Sequence, residues 1–225
     1  MTIKAIVWDM DGLLIDSEPI WDLARKRMAE AHGVYDWNQQ DHFNVMGVST
    51  QTWVDYMIKR IGLSMSPAEV EAAIIGHMAT IYRQEIPFLP HAIEKIQWGA
   101  SLYPSCIASG SPRQLIDIVA SDPRVAPHLQ FVLAADEVGR GKPNPDVYLE
   151  AARRLGVAPE QCICLEDSPN GVQAGYRAGM RVINIPAEDM PLTAEQAQYA
   201  HIVLGGLEEF SAETIEQLQT VHDQR

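Results

Sequence analysis

The chain alternates between two hydrophobic patterns: short continuous apolar runs and longer stretches with helical spacing. The short runs predict buried strands at residues 3–8, 106–108, 131–134, 162–165, 182–185 and 201–204. Apolar residues at helical spacing predict helices at 113–120, 146–155, 172–178, 194–199 and 212–221. Alternation of strands and helices indicates an α/β fold with a parallel sheet and right-handed crossovers.

The segment that follows the first strand has only the helical pattern. Apolar side chains recur there every three or four positions, for example at Trp53, Met57, Ile58 and Ile61. Proline-bearing joints at 17–19 and 86–90 bracket the segment. We therefore expect a small helical domain at 18–88, inserted into a core that is formed by 1–17 and 89–225.

Four short polar motifs are spread over the chain, and three of them come directly after a predicted strand. The motifs are Asp9-Met10-Asp11-Gly12, Ser109-Gly110-Ser111, Gly141-Lys142-Pro143 and Glu166-Asp167-Ser168. In an open parallel sheet, the ligand crevice forms at the carboxyl ends of the strands. One crevice would thus collect four acids, a hydroxyl and a lysine, a set that suits phosphate chemistry with a divalent metal.

The first motif carries two acids with different candidate roles. A carboxylate can attack phosphorus and form an aspartyl-phosphate, which makes Asp9 the candidate nucleophile. Asp11 lies two residues further, so its side chain points to the same side of an extended segment. There it can give a proton to the leaving oxygen and later take one from water. The alternative is a pair of turn acids that cap a loop.

The second acidic pair, Glu166-Asp167, predicts a metal site. Two adjacent acids at the end of a buried strand repel each other unless a cation neutralises them. Magnesium prefers hard oxygen ligands and bridges carboxylates to phosphate. We expect Mg²⁺ to be held by the side chains of Asp9 and Asp167 and the backbone carbonyl of Asp11. Glu166 either binds the metal directly or supports the other ligands, and an acid that caps a helix beside Ser168 is the alternative.

The remaining motifs supply candidate phosphate ligands. Lys142 lies in a stiff loop between glycine and proline, where its ammonium can face phosphate and Asp9. Ser109, with the backbone N–H groups of Gly110 and Ser111, can bind the other phosphate oxygens. Taken alone, a loop lysine is usually just solvated, and Ser-Gly-Ser is more often a plain turn.

Three serine-proline or asparagine-proline pairs predict where helices begin. Each pair joins a good N-cap residue to a proline at the first helical position. The pairs are Ser111-Pro112, Asn144-Pro145 and Ser168-Pro169. The functional residues would then lie at helix N-termini, which bind anions through free N–H groups and the helix dipole.

Charge and composition limit the kinds of molecule that this chain can bind. The net charge is −13, from 17 basic and 30 acidic residues, and such a field repels nucleic acid and anionic membranes. We expect a small phosphorylated metabolite as the partner, and a monomer. The three cysteines lie in apolar runs without C-x-x-C spacing. Together with the lack of a signal peptide or a membrane-length apolar run, they favour a cytoplasmic protein.

The order and spacing of the motifs resemble the haloacid dehalogenase-like (HAD) superfamily over nearly the whole chain. Residues 9–17 (DMDGLLIDS) look like its first motif, and Ser109 looks like its second. Lys142 in GKPNPDVY and Glu166-Asp167 in LEDSPNG look like its third and fourth. The resemblance implies a Rossmann-like three-layer core with an inserted helical cap. It also implies a Mg²⁺-dependent phosphatase that works through an aspartyl-phosphate, with a cap that closes over the site and selects the substrate.

Within the superfamily, the chain looks most like β-phosphoglucomutase and the sugar-phosphate phosphatases. The mutase has a histidine where this chain has Trp21, and an arginine where it has Thr50, after Gly47-Val48-Ser49. Because a mutase must retain a bisphosphate intermediate and exclude water, these departures favour hydrolysis of a sugar phosphate. Trp21 and Thr50 become candidate specificity residues. A phosphomutase and a phosphate-binding module without turnover are the alternative functions.

Overall fold

The computed structural model describes residues 2–45, 50–187 and 192–220. It divides the chain into two compact units. The core unit comprises Met1–Asp16 and Pro87–Arg225, and the inserted unit comprises Ser17–Ile86.

The core unit is built on a six-stranded parallel sheet, which confirms the predicted α/β fold. Its strands are β1 (Ala5–Trp8), β2 (Ser105–Ser109), β3 (Val132–Ala134), β4 (Cys162–Glu166), β5 (Arg181–Asn184) and β6 (Ile202–Val203). They pair in the order β3-β2-β1-β4-β5-β6. The strands that follow β1 in the chain lie first on one side of it (β2 and β3) and then on the other (β4, β5 and β6), so β1 has both motif-bearing strands, β2 and β4, as neighbours. Such a switch point is where a ligand crevice opens.

The central strands are mostly apolar, with polar residues at their ends, because helices cover both faces of a parallel sheet. Every residue of β1, β2 and β4 is buried. Val7 of β1 is in register with Cys106 on one side and Cys164 on the other. The cysteines are free and buried, as small apolar side chains would be.

The inserted unit contains four helices in the described residues. They are α1 (Glu18–Ala31), α2 (Gln39–Val45), α3 (Thr50–Ile61) and α4 (Pro67–Gln84). A capping box at the start of α4 pairs the Ser66 hydroxyl with the Glu69 N–H and the Glu69 carboxylate with the Ser66 N–H. Buried apolar residues at helical spacing, including Val70, Ile74 and Met78, then make one face of α4 part of the interior.

Six further helices complete the core unit as described. They are α5 (Ala92–Leu102), α6 (Arg113–Ala120), α7 (Asp146–Leu155), α8 (Pro169–Ala178), α9 (Ala194–Ala197) and α10 (Ala212–Thr220). Helix α5 is absent from the sequence-based predictions. In the described residues, no helix is both long enough and apolar enough to span a bilayer.

The predicted helix starts are right at one position and wrong at two. Ser168 caps α8 as predicted, since its side chain accepts a hydrogen bond from the Gly171 N–H. Ser111 and Asn144 are not N-caps, because α6 and α7 begin one residue beyond the following proline. The Ser111 N–H instead donates to Ser109, and the Asn144 side chain donates to the Gly141 carbonyl. These local hydrogen bonds fold both segments into turns before the helix begins.

Candidate active site

The four sequence motifs converge at the carboxyl edge of the central strands. Asp9 follows β1, Ser109 ends β2, and Glu166 ends β4. Because β1 lies between β2 and β4, these residues occupy neighbouring strand ends. Lys142 reaches the same place from the loop before α7. The structure thus brings together the core residues that were predicted to act on phosphate.

Lys142 is fixed in the centre of this group by three acceptors. Its Nζ atom donates to Asp9 Oδ1 at 2.5 Å, to Glu166 Oε1 at 2.6 Å and to the Ala108 carbonyl at 3.2 Å. Burial alone would lower the pKa of the ammonium, but the two carboxylates outweigh it and hold the pKa above its ordinary value. Lys142 is therefore a permanently charged group beside the candidate nucleophile.

Three acidic residues form a buried cluster around this lysine. Asp9, Glu166 and Asp167 are 5%, 0% and 7% exposed, and each offers a carboxylate oxygen within 4.8 Å of the others. Burial, followed by repulsion from Glu166, raises the pKa of Asp9 well above its usual range and that of Asp167 to about 8. Lys142 alone does not neutralise the cluster. A divalent cation with hard oxygen ligands fits this donor set.

A glycine lets the Asp167 carboxylate approach the first motif. Gly12 has a positive φ of 74°, and a Cβ atom built there would lie 2.0 Å from Asp167 Oδ2. Only glycine therefore leaves room for this carboxylate. It lies against the backbone just after Asp11, whose carbonyl is the predicted third metal ligand.

Asp11 and Ser109 form a separate hydrogen-bonded pair. The Ser109 hydroxyl donates to Asp11 Oδ2 at 3.0 Å, and it accepts from the Ser111 N–H at 2.9 Å. The second Asp11 oxygen, Oδ1, is buried without a hydrogen-bond partner in the part of the chain that the structure describes. Gly110 is exposed, with open space where a side chain would be. A carboxylate oxygen without a partner suits a group that exchanges a proton with a ligand.

Two residues that sequence reasoning missed hold the Glu166-Asp167 pair. Tyr148 is fully buried on α7, and its hydroxyl donates to Glu166 Oε1. Asn184, at the end of β5, donates through Nδ2 to the backbone carbonyls of Glu166 and Asp167, both at 3.0 Å. The sequence signal for both residues was a polar side chain on a helix or strand face that is otherwise apolar. Both residues fix where the acidic pair can point.

The two candidate specificity residues belong to the inserted unit. Trp21, on α1, packs against Trp53, with ring centres 6.1 Å apart, and the guanidinium of Arg25 lies 5.2 Å from its ring. Thr50 is the exposed first residue of α3. The preceding residues, Gly47-Val48-Ser49, lie outside the described residues. The roles of Trp21 and Thr50 stay predictions.

Gly171 is expected to be essential for the position of Glu166. A Cβ atom at Gly171 would lie 1.9 Å from the Glu166 carboxyl carbon, so Gly171→Ala must displace a buried carboxylate. We expect this variant to lose about 1 to 3 kcal/mol of unfolding free energy, as overpacked cores do. Gly76→Ala is the matched control, since Gly76 lies in α4 with nothing within 4 Å, and it should gain about 0.5 to 1 kcal/mol. Urea unfolding measures the free energy of unfolding of both variants. Equal changes in the two would contradict the claim that Gly171 leaves the space that Glu166 needs.

Comparison with known proteins identifies the class. The family model for haloacid dehalogenase-like hydrolases matches residues 3–179. Because this match covers most of the chain, the protein belongs to the haloacid dehalogenase-like hydrolase family. The fold and the placement of the four motifs agree with the resemblance that the sequence suggested.

Curated relatives narrow the class to a phosphatase. The chain is 32% identical to "Probable pseudouridine-5'-phosphatase" of Drosophila melanogaster, over 92% of this chain and 91% of the relative. It is 31% identical to hexitol phosphatase B of Escherichia coli O157:H7, over 95% of this chain and 96% of the relative. With the family match, these relatives make the protein an enzyme, a phosphoric monoester hydrolase of the HAD-like type.

Solved structures support the fold. β-Phosphoglucomutase from Clostridium difficile superimposes with a TM-score of 0.76 at 19% identity, covering 97% of this chain and 98% of that one. CbbY from Rhodobacter sphaeroides, solved in complex with phosphate, gives 0.75 at 23% identity, with 92% and 96% covered. At these identities, both similarities show the fold alone.

Proposed function

We propose that the protein is a Mg²⁺-dependent phosphatase that hydrolyses a small phosphorylated metabolite, a sugar phosphate, through an aspartyl-phosphate intermediate. The observation that carries the proposal is the position of Asp9. It lies between a charged lysine and two further buried acids, and the Asp11–Ser109 pair follows on the same edge of the sheet.

The first step is nucleophilic attack by Asp9. Lys142 holds Oδ1, which limits rotation of the carboxylate and leaves the other oxygen to attack phosphorus. A bond forms between that oxygen and phosphorus as the bond from phosphorus to the sugar oxygen breaks. The Lys142 ammonium is placed to stabilise the negative charge on the transferring phosphoryl group.

Asp11 serves both steps as acid and base. In the first step it gives its proton to the sugar oxygen, so that an alcohol leaves rather than an alkoxide. In the second step it takes a proton from the water that attacks phosphorus, and Asp9 leaves as a free carboxylate. Before phosphate binds, the hydrogen bond from Ser109 to Oδ2 orients the carboxyl group, while Oδ1 has no partner among the described residues.

Ser109, Gly110 and Lys142 are the proposed phosphate-binding residues, and Lys142 acts through its charge because its three N–H donors are already used. The Ser109 hydroxyl already lies at the site, and Gly110 is exposed with open space beside its Cα, which suits a backbone N–H that binds phosphate. A ligand phosphate would compete with Asp11 for the Ser109 hydroxyl. Binding of phosphate would thus free the Asp11 carboxyl group from Ser109.

The acidic residues fit magnesium. The side chains of Asp9 and Asp167 and the backbone carbonyl of Asp11 would hold it, and Glu166 is the neighbouring third acid of the cluster. When bound, the ion neutralises buried carboxylates and polarises the phosphoryl oxygens. Without a cation, burial and then repulsion from Glu166 raise the pKa values of Asp9 and Asp167.

The choice of a sugar phosphate rests on the relatives. Hexitol phosphatase B and a pseudouridine-5'-phosphatase both act, by name, on phosphorylated carbohydrate or nucleoside compounds. We propose that residues 18–88 form the cap that selects the substrate, with Trp21 and Thr50 as contributing residues. A cytoplasmic monomer stays our expectation.

A substrate panel tests the proposed function. The panel contains hexose and deoxyhexose phosphates, hexitol phosphates, nucleoside 5'-monophosphates, phosphoglycolate and β-glucose 1-phosphate. We expect Mg²⁺-dependent release of inorganic phosphate that is greatest for one or two sugar phosphates and falls to background with a chelator. Conversion of β-glucose 1-phosphate to the 6-phosphate with little free phosphate would instead indicate a mutase. Binding of metal without turnover of any compound would indicate a binding module.

A further inference from the structure

Glu166 differs from the other acids of the cluster in how completely the protein surrounds it. Its Oε1 atom accepts hydrogen bonds from the Tyr148 hydroxyl and from Lys142 Nζ. Its Oε2 atom accepts from the Ser168 hydroxyl at 3.1 Å and from the Ser168 N–H at 3.4 Å. An ionised carboxylate has about four acceptor positions, and these four donors occupy them. Glu166 thus has no acceptor position left for a cation.

Tyr148 acts on both sides of the ion pair between Glu166 and Lys142. Its hydroxyl supplies one of the four donors, and its ring lies 5.0 Å from Lys142 Nζ, a cation–π distance. The lysine meanwhile gives hydrogen bonds to Asp9, Glu166 and the Ala108 carbonyl, which uses its three donors. The position of Lys142 beside Asp9 therefore depends on Glu166 staying where Tyr148 holds it.

Asp167 has the opposite arrangement. Its carboxylate points at the backbone of Gly12, next to the Asp11 carbonyl, and it stays within reach of Asp9. The side chains expected to bind a metal thus contact Lys142, in the case of Asp9, and the backbone of Gly12, in the case of Asp167. Glu166 faces the lysine and the tyrosine.

We propose that Tyr148 is a positioning residue, which keeps Glu166 bound to Lys142 and out of the coordination of the metal. This proposal rests on the metal-dependent phosphatase function above. A phenylalanine fills the same space but removes one donor from Glu166 Oε1. The freed acceptor position on Oε1 can then bind a cation, and Glu166 fixes the position of Lys142 less firmly.

The test is calorimetric titration of the metal-free chain with MgCl₂ and with CaCl₂. Ca²⁺ accepts more oxygen ligands than Mg²⁺ and tolerates irregular geometry. We therefore expect Tyr148→Phe to bind Ca²⁺ about fivefold or more tightly than the wild type, with a smaller change for Mg²⁺. In activity assays kcat should fall about tenfold, the effect of one hydrogen bond to a charged group, with KM within about twofold. Tyr199→Phe, a matched change elsewhere in the core unit, should alter neither.

Further variants separate positioning from damage. In a Glu166→Gln background, Tyr148→Phe should no longer raise Ca²⁺ affinity, because no carboxylate is freed. Ser168→Ala removes a donor from Oε2 and should also make Ca²⁺ binding tighter. This variant tests whether the donors around Glu166 keep it away from the metal, even if Tyr148→Phe fails to fold. Unchanged affinities, or weaker binding of both metals, would overturn the proposal. Since the titration needs no turnover, a wild type that binds metal but releases no phosphate would overturn the proposed function alone.

Discussion

Asp9→Asn is expected to abolish turnover while the protein stays folded. The amide is nearly the same size as the carboxylate, but it cannot attack phosphorus. We expect kcat on the best substrate of the panel to fall by a factor on the order of 10⁴ or more, as when other covalent nucleophiles are removed. Lys142 keeps its hydrogen bonds to Glu166 and Ala108, so the neighbouring charges stay in place. Because the substitution also removes one buried like charge, the melting temperature should equal or exceed that of the wild type.

Phosphate release is the readout for Asp9→Asn, and calorimetry with the same substrate shows that the site remains. Affinity should stay within a few-fold of the KM of the wild type. Asp117→Asn is the matched control, since Asp117 is an exposed acid on α6 that pairs with Arg113. Turnover near the wild-type rate by Asp9→Asn would exclude the aspartyl-phosphate mechanism, and loss of folding would mean that Asp9 is needed for structure.

The central strands and the meeting of the motifs were predictable from sequence because both depend on strong local signals. An uninterrupted apolar run such as 162–165 has few alternatives to a buried strand, and β4 is found at Cys162–Glu166. Once the strands are parallel, their carboxyl ends must share an edge, so Asp9, Ser109 and Glu166 converge without any knowledge of side-chain contacts.

What sequence reasoning missed depends on packing between distant segments. Helix α5 buries Ala92, Ile96 and Gly99, a narrow stripe with two small residues, so its periodic signal is weak. Tyr148 looks like an ordinary helix residue until α7 packs over β1 and β2 and places the hydroxyl on Glu166. The N-cap predictions at Ser111 and Asn144 were wrong because local turns took the hydrogen bonds that a helix would have used.

Asp11→Asn is expected to slow turnover of a sugar phosphate by about 10² to 10⁴, the usual contribution of general acid–base catalysis. Asparagine can still accept the hydrogen bond from Ser109, so the local structure should persist. It cannot give a proton to the leaving oxygen or take one from water. With a sugar as leaving group, both steps therefore become slow.

The leaving group separates the two roles of Asp11. p-Nitrophenolate leaves without protonation, so Asp11→Asn should still form the aspartyl-phosphate from p-nitrophenyl phosphate at close to the normal rate. The intermediate then accumulates, because no base activates water for the second step. Rapid-mixing assays should show a burst of p-nitrophenol approaching one equivalent per enzyme, followed by slow turnover. A loss of equal size on both substrates without a burst would mean that Asp11 acts in binding rather than in proton transfer.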